Sequence, residues 1–196
     1  DIGINNNHAD NSFHVIVPMD DSLIDGFIIQ EGNATENYSD DRGRGAGLWA
    51  ENVAFEIRNC EFRNNWAFQG GGAVWLSESN VTFSNCIFSS NTTGTTGSGG
   101  AIWADNSNVT IDSSSILSNY APYWGGALRI DDGNFSLNNS TISTNESLVS
   151  NGGGAIYQNA GAFQVTNSSF TQNQSSHQGG AILIRDATGV ISDSNF

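Results

Sequence analysis

The stretch GGAVWLSESNVTFSNCIFSSN, residues 71–91, decides the fold, because residues 99–119 repeat it as GGAIWADNSNVTIDSSSILSN. The Gly-Gly-Ala-aliphatic start recurs at Gly71, Gly99, Gly125, Gly153 and Gly179, with the variant Gly-Ala-Gly-Leu at Gly45. The spacings are 26, 28, 26, 28 and 26 residues. A large apolar residue follows each start by 17 positions: Phe62, Phe88, Ile116, Ile142, Phe170 and Phe196. All length variation falls in the connection after it: the step from that residue to the next start is nine or eleven positions. A rigid unit closed by one elastic loop behaves this way.

Three short strands are legible in each unit. The first runs through Val74, Trp75 and Leu76. The second alternates apolar and polar residues, as in Val81-Thr82-Phe83 and Val109-Thr110-Ile111, so one face turns inward and the other to solvent. The third carries Ile87-Phe88-Ser89 and its copies. Polar corners separate them, and Asn85, Asn139 and Asn167 share one corner where asparagine tolerates left-handed backbone angles. These strands are too few and too short for propeller blades. The expected architecture is all-β: a right-handed, single-stranded parallel β-helix, in which each coil pairs with the next and like stacks on like.

Two apolar columns should line the interior: Leu48, Val74, Ile102, Leu128, Ile156 and Ile182, and the column that begins at Phe62. Three residues beyond the latter stand Asn65, Asn91, Asn119, Asn145 and Asn173. An inward asparagine ladder bonds amide to amide between coils and satisfies groups that are costly to bury alone.

Residues 45–196 therefore read as six regular coils, the last incomplete. Residues 1–44 read as irregular N-terminal coils with an inserted loop, Tyr38 to Arg44; Ser22 to Ala34 is an earlier coil and Ser12 to Val17 one more strand. The chain begins at Asp1 and stops within a coil, so natural sequence is expected beyond both ends.

The repeated G-G-A-I with F-x-x-N resembles the polymorphic outer-membrane-protein repeat, within the pectate-lyase-like β-helix superfamily. That resemblance implies the fold and an extracellular setting. It leaves function open, because the superfamily holds adhesins, fibres, lyases and hydrolases.

Composition narrows the choices. The net charge is −14, with six arginines and no lysine, so no basic stripe exists for nucleic acid or an anionic membrane surface. No apolar run approaches the roughly 18–20 residues of a membrane span. Only 13% of residues are charged, which excludes a coiled coil.

Five features are candidates for function. Trp49, Trp75, Trp103, Arg129, Tyr157 and Leu183 share one outward position. They form a stacked ladder with a cation–π contact from Arg129 to Trp103 or Tyr157, a lateral interface, or a sugar-binding strip. Trp66, Phe68, Tyr120, Tyr123 and Trp124 sit in the long connections, as cover for the rod or as a docking patch. Glu51, Glu78, Asp105, Asp131, Asp132 and Asp186 make an acidic ridge, and Asp105, Asp131 and Asp132 are calcium candidates. Cys60 and Cys86 occupy one position in adjacent coils, within disulfide range. The serines at that position elsewhere favour two buried thiols. Eleven N-x-S/T sequences occur; Asn33, Asn80, Asn108, Asn134 and Asn167 are the glycosylation candidates, whereas Asn91, Asn145 and Asn173 should point inward.

No catalytic arrangement is drawn by the sequence: His8, His14 and His177 lie far apart in the repeat frame. Asp131-Asp132 near Arg129, with Asp105 one coil away, comes nearest. The expectation is a non-catalytic extracellular structural or adhesive protein. It would be a segment of a fibre, adhesin or surface appendage, associating with other subunits, copies of itself or glycans. The alternative is a carbohydrate-active lyase or hydrolase, or a polysaccharide-binding module. No cofactor is implied beyond calcium.

Overall fold

The computed structural model describes residues 13–35, 41–148 and 152–196. They form a parallel β-solenoid with four sheets along its sides, of six, seven, six and six strands. One coil shows the plan: Ile102–Asp105 enters the first sheet, Asn108–Asp112 the second, Ser115–Leu117 the third and Tyr120–Ala121 the fourth. Each of these four strands pairs in parallel with its counterparts in the coils on either side. Ser22–Asp25, Ile28–Gln30 and Asn33–Ala34 carry the second, third and fourth sheets one coil further toward the N-terminus. Among the described residues no helix is long and apolar enough to cross a membrane.

The fourth sheet lies where the sequence shows only a connection. Its strands are two residues long, too short to display a period. The stretch expected as a strand at Ser12 to Val17 is instead a single bridge from Ile16 to Leu48; Ser12 is outside the described residues. Pro18 follows at once and has no N–H to extend a ladder. Of the inserted loop, Asp41–Gly43 forms one 3-10 turn, and the part before Asp41 is outside the described residues.

The glycine signature has a steric cause. Gly71, Gly99, Gly125 and Gly179 have φ near +60° (57, 61, 67 and 57°), where an L side chain is strained. The second glycine of the pair packs on the next coil: a Cβ at Gly72, Gly100 or Gly126 would lie 2.2, 2.2 or 2.1 Å from the carbonyl oxygen of its neighbour in the adjacent coil. Ala73, Ala101, Ala127 and Ala155 then fill the first fully buried position. The corner asparagines behave as the sequence predicts, with Asn85, Asn139 and Asn167 at φ 54, 50 and 47°.

Inside, like stacks on like. Leu48, Val74, Ile102, Leu128 and Ile156 are in register and fully buried. Phe62 and Phe88 stack at 5.0 Å, nearly parallel, with Phe83 edge-on to both. Beside them runs the asparagine ladder. Asn65, Asn91, Asn119 and Asn145 each donate Nδ2 to the Oδ1 of the next asparagine at 3.0 Å, and also to a backbone carbonyl one coil back, from Ile29 through Ile116. Each Oδ1 from Asn91 to Asn173 also accepts the backbone N–H of the preceding ladder residue.

A hydroxyl column completes the polar interior. Ser114, Ser140, Ser168 and Ser194 each donate Oγ to the carbonyl two residues earlier and accept an N–H from the preceding coil. Cys86 and Cys60 occupy the same column. Both are buried free thiols, directed at the carbonyls of Ser84 and Arg58. The disulfide reading is thereby set aside: each sulfur fills the hydroxyl's place rather than bonding to its neighbour. Burial pushes the Cys86 thiol up to about 11, against smaller lowering effects from backbone hydrogen bonds at Cys60 and Ser84. Neither thiol is therefore expected to react with a soluble alkylating reagent at pH 8 in the native protein. Both should react on unfolding in urea, and rapid labelling of folded protein would contradict this packing.

Candidate functional site: the aromatic and arginine stack

The first sheet alternates inward aliphatics with outward residues, which puts Trp49, Trp75, Trp103, Arg129, Tyr157 and Leu183 in one register on its outer face. Facing outward does not leave them open to solvent. Trp75 and Tyr157 are each only 4% exposed, and Trp49, Trp103 and Arg129 are half-buried. The connections between coils fold over the column and insert groups into it.

The result is one continuous stack. His14 lies on Trp49 at 5.8 Å, and Trp49 on Trp75 at 5.8 Å. The Arg44 guanidinium sits between Trp75 and Trp103, at 5.2 and 5.4 Å from the two rings. Arg129 sits between Trp103 and Trp124, at 4.2 and 4.5 Å. Trp124 then stacks on Tyr157 at 5.7 Å. Positive guanidinium planes between electron-rich ring faces are attracted on both sides, more strongly where water is excluded. Arg129 does meet Trp103 as the sequence suggests, but its second face meets Trp124, which comes in from a connection, and not Tyr157. Of the loop aromatics, Trp66 lies half-buried and edge-on to Phe68, and Tyr123 is exposed beside Trp124. Phe68 and Tyr120 are half-buried as well, so these four rings keep area for outside contact.

The acidic ridge divides into two columns. Glu51, Asp105 and Asp131 end strands of the first sheet, in register with Ser77, Asn159 and Arg185. Glu78, Asp132 and Asp186 stand one residue further on, at left-handed corners with φ 49, 50 and 51°. Among the described residues, no three His, Cys, Asp or Glu side chains converge as metal ligands, which counts against calcium at Asp105, Asp131 and Asp132. Asp131 is instead held within the stack. Its Oδ2 accepts from Arg129 Nε at 2.6 Å and from Trp103 Nε1 at 3.0 Å. Arg129 Nη1 also donates to Ser98 Oγ at 3.3 Å.

Asp105 stands beside this pair and makes no ion pair among the described residues. Partial burial, then the Asp131 carboxylate, raise its pKa above the ordinary value of 3.8. Because the folded chain holds that proton more tightly than the unfolded one, the charged form opposes folding. The penalty is complete above the folded pKa and disappears as pH falls below the unfolded value. Asp105→Asn should raise Tm at pH 7 and leave it unchanged at pH 3; an equal shift at both pH values would contradict this origin.

Three stack members escaped the sequence reading: His14, Arg44 and Ser98. Arg44 immediately precedes the first glycine start and also donates to Gln69 Oε1 at 2.9 Å. Its position, one before each glycine start, holds Gly70, Ser98, Trp124, Gly152 and Gln178 in the other coils, so no periodic residue type marks it and only its placement reveals it. His177 is exposed, and His8 is outside the described residues.

The exposed sequons keep the places expected of them. Asn80, Asn108, Asn134 and Asn167 are on the surface, and Asn33 is half-exposed. The outer face of the second sheet also bears an open groove of about 630 Å³, lined by uncharged groups including Asn108, Thr110, Asn134, Ser136 and Gln164.

The family model described as right handed beta helix region matches residues 2–196. The chain belongs to that family. No curated protein and no solved structure gives a match. Family membership establishes the architecture of this β-helix, and its function has to be argued from its own side chains.

Proposed function

We propose that this β-helix is a non-catalytic structural or adhesive segment of an extracellular assembly, meeting other protein subunits or further copies of itself along its sides. One observation carries the reading. The side chains nearest to a catalytic constellation, Asp131 and Arg129, are fixed by each other and by Trp103, Trp124 and Ser98. One carboxylate oxygen of Asp131 is taken up by the arginine and the indole N–H together, and both faces of the guanidinium are covered by rings, so the pair is built into the stack. The regular coils around it present repeated columns of side chains, as a scaffold requires. The acidic, lysine-free surface agrees with an extracellular setting.

The open groove on the second sheet favours a second reading, a module that binds a neutral polysaccharide through amides and hydroxyls. The primary reading is tested on native cells. Gold-labelled antibody raised against residues 45–196 should decorate the outside of unpermeabilised cells or their appendages. Label confined to the interior after permeabilisation would overturn it.

A further inference from the structure

Three members of the core ladder are also acceptor sequences for N-linked glycosylation: Asn91-Thr92-Thr93, Asn145-Glu146-Ser147 and Asn173-Gln174-Ser175. Such a sequence ordinarily marks a surface asparagine, because the attached sugar is bulky and solvated. Here Asn91 and Asn145 are 0% exposed. Nδ2, the atom that carries the sugar, has both its hydrogens occupied. In Asn91 it donates to Phe62 O at 2.9 Å and Asn119 Oδ1 at 3.0 Å, and in Asn145 to Ile116 O and Asn173 Oδ1, both at 3.0 Å.

Glycosyl transfer forms a bond from Nδ2 to the anomeric carbon. The bond from that carbon to a lipid-linked pyrophosphate carrier breaks, and one amide proton leaves. The modified asparagine has lost a donor and gained a group with no room in the core. Transfer acts on the extended chain, before coils stack, so burial in the folded state gives no protection.

We infer that the native folding route of this chain bypasses N-linked oligosaccharide transfer, and that Asn91, Asn145 and Asn173 are latent acceptors whose modification blocks coil stacking. The outward sequons then remain bare amides bonded between coils. Asn108 Nδ2 donates to Asn80 Oδ1 at 2.6 Å, and Asn167 Nδ2 to Asn139 Oδ1 at 2.7 Å. This inference goes beyond the scaffold reading and stands whatever partner the rod meets.

The structure supplies a clean variant. The acceptor hydroxyls Thr93 Oγ1 and Ser147 Oγ are buried without a hydrogen-bond partner. Ala34, Ala67 and Ala121 fill the same column in other coils. Thr93→Ala and Ser147→Ala therefore remove the acceptor and leave the asparagine ladder intact. Ser175→Ala removes the third acceptor for the loss of one part-buried bond to Gly152 O.

The test secretes the chain from eukaryotic cells in three forms: parent, the triple variant Thr93→Ala/Ser147→Ala/Ser175→Ala, and a surface variant Asn80→Gln/Asn108→Gln/Asn134→Gln. Folded secreted protein is quantified by protease resistance, and glycan occupancy by peptide mass. The triple variant should yield several-fold more folded protein than the parent, with the surface variant as poor as the parent. Parent retained in the cells should carry sugar at Asn91 or Asn145. Blocking oligosaccharide transfer chemically should rescue the parent, which keeps the test decisive if the triple variant itself folds badly. Folded parent secreted as well as the triple variant, or no gain when transfer is blocked, would overturn the inference.

Discussion

Replacing Asn119 by leucine, which nearly preserves volume, is expected to destabilise the rod by about 4 kcal/mol, from two or more buried groups left unpaired at roughly 1–3 kcal/mol each. Its Nδ2 holds Phe88 O and Asn145 Oδ1, and its Oδ1 receives both Asn91 Nδ2 and the Asn91 backbone N–H. With leucine, the Phe88 carbonyl and the Asn91 N–H lose these partners in a dry interior. The same change at Asn85 provides the wrong comparison, because its backbone angle favours asparagine. Asn85→Ser is the better control: Ser113 occupies that corner one coil on, and the lost bond from Asn85 Nδ2 to Asn59 Oδ1 is exposed. That control should cost under about 1 kcal/mol. Urea denaturation monitored by tryptophan fluorescence reads both. Equal effects at the two positions would show that the buried ladder adds nothing beyond a surface amide pair.

Arg129→Ala is expected to cost about 3 kcal/mol, the range found when one partner of a largely buried ion pair is removed. The substitution withdraws the guanidinium between Trp103 and Trp124 and leaves Asp131, 8% exposed, with Trp103 Nε1 as its one remaining side-chain donor among the described residues. Arg129→Lys should recover only part of the loss, since an ammonium lacks the planar face that stacks between two rings. The double variant Arg129→Leu/Asp131→Asn should be more stable than Arg129→Ala, because no charge is then buried without its partner. Thermal melts of the four proteins decide this. If Arg129→Ala melts with the parent, the stack is a surface ornament and its rings are free to serve as a binding strip.

Much of the fold was legible because a repeat makes each column several independent observations. Gly-Gly-Ala marks the coil start because the first glycine adopts positive φ and a Cβ on the second would fall about 2 Å from a carbonyl oxygen of the adjacent coil. F-x-x-N marks the core because the asparagine bonds to its own copies. Cys60 and Cys86 were legible as small buried residues from Ser114 and Ser140, which make the same contacts. What the repeat does not encode was harder to read. The fourth sheet has two-residue strands within a loop of variable length. The acidic ridge looked single because residues six and seven of a unit are adjacent in sequence, while the left-handed corner sends them to different columns. The rings of the first sheet looked exposed because alternation gives the side of the strand and says nothing about what folds over it. Arg44 and Trp124 supply that cover, and each occurs once.

The measurement that bears most directly on the scaffold account is polymer chain length, followed by chromatography after prolonged incubation of the intact protein with neutral and acidic polysaccharides. The account predicts no shortening with any polymer, with or without added calcium. Shortening that is abolished by Asp131→Asn, in a variant that retains the parent's Tm, would contradict it and make Asp131 a catalytic group.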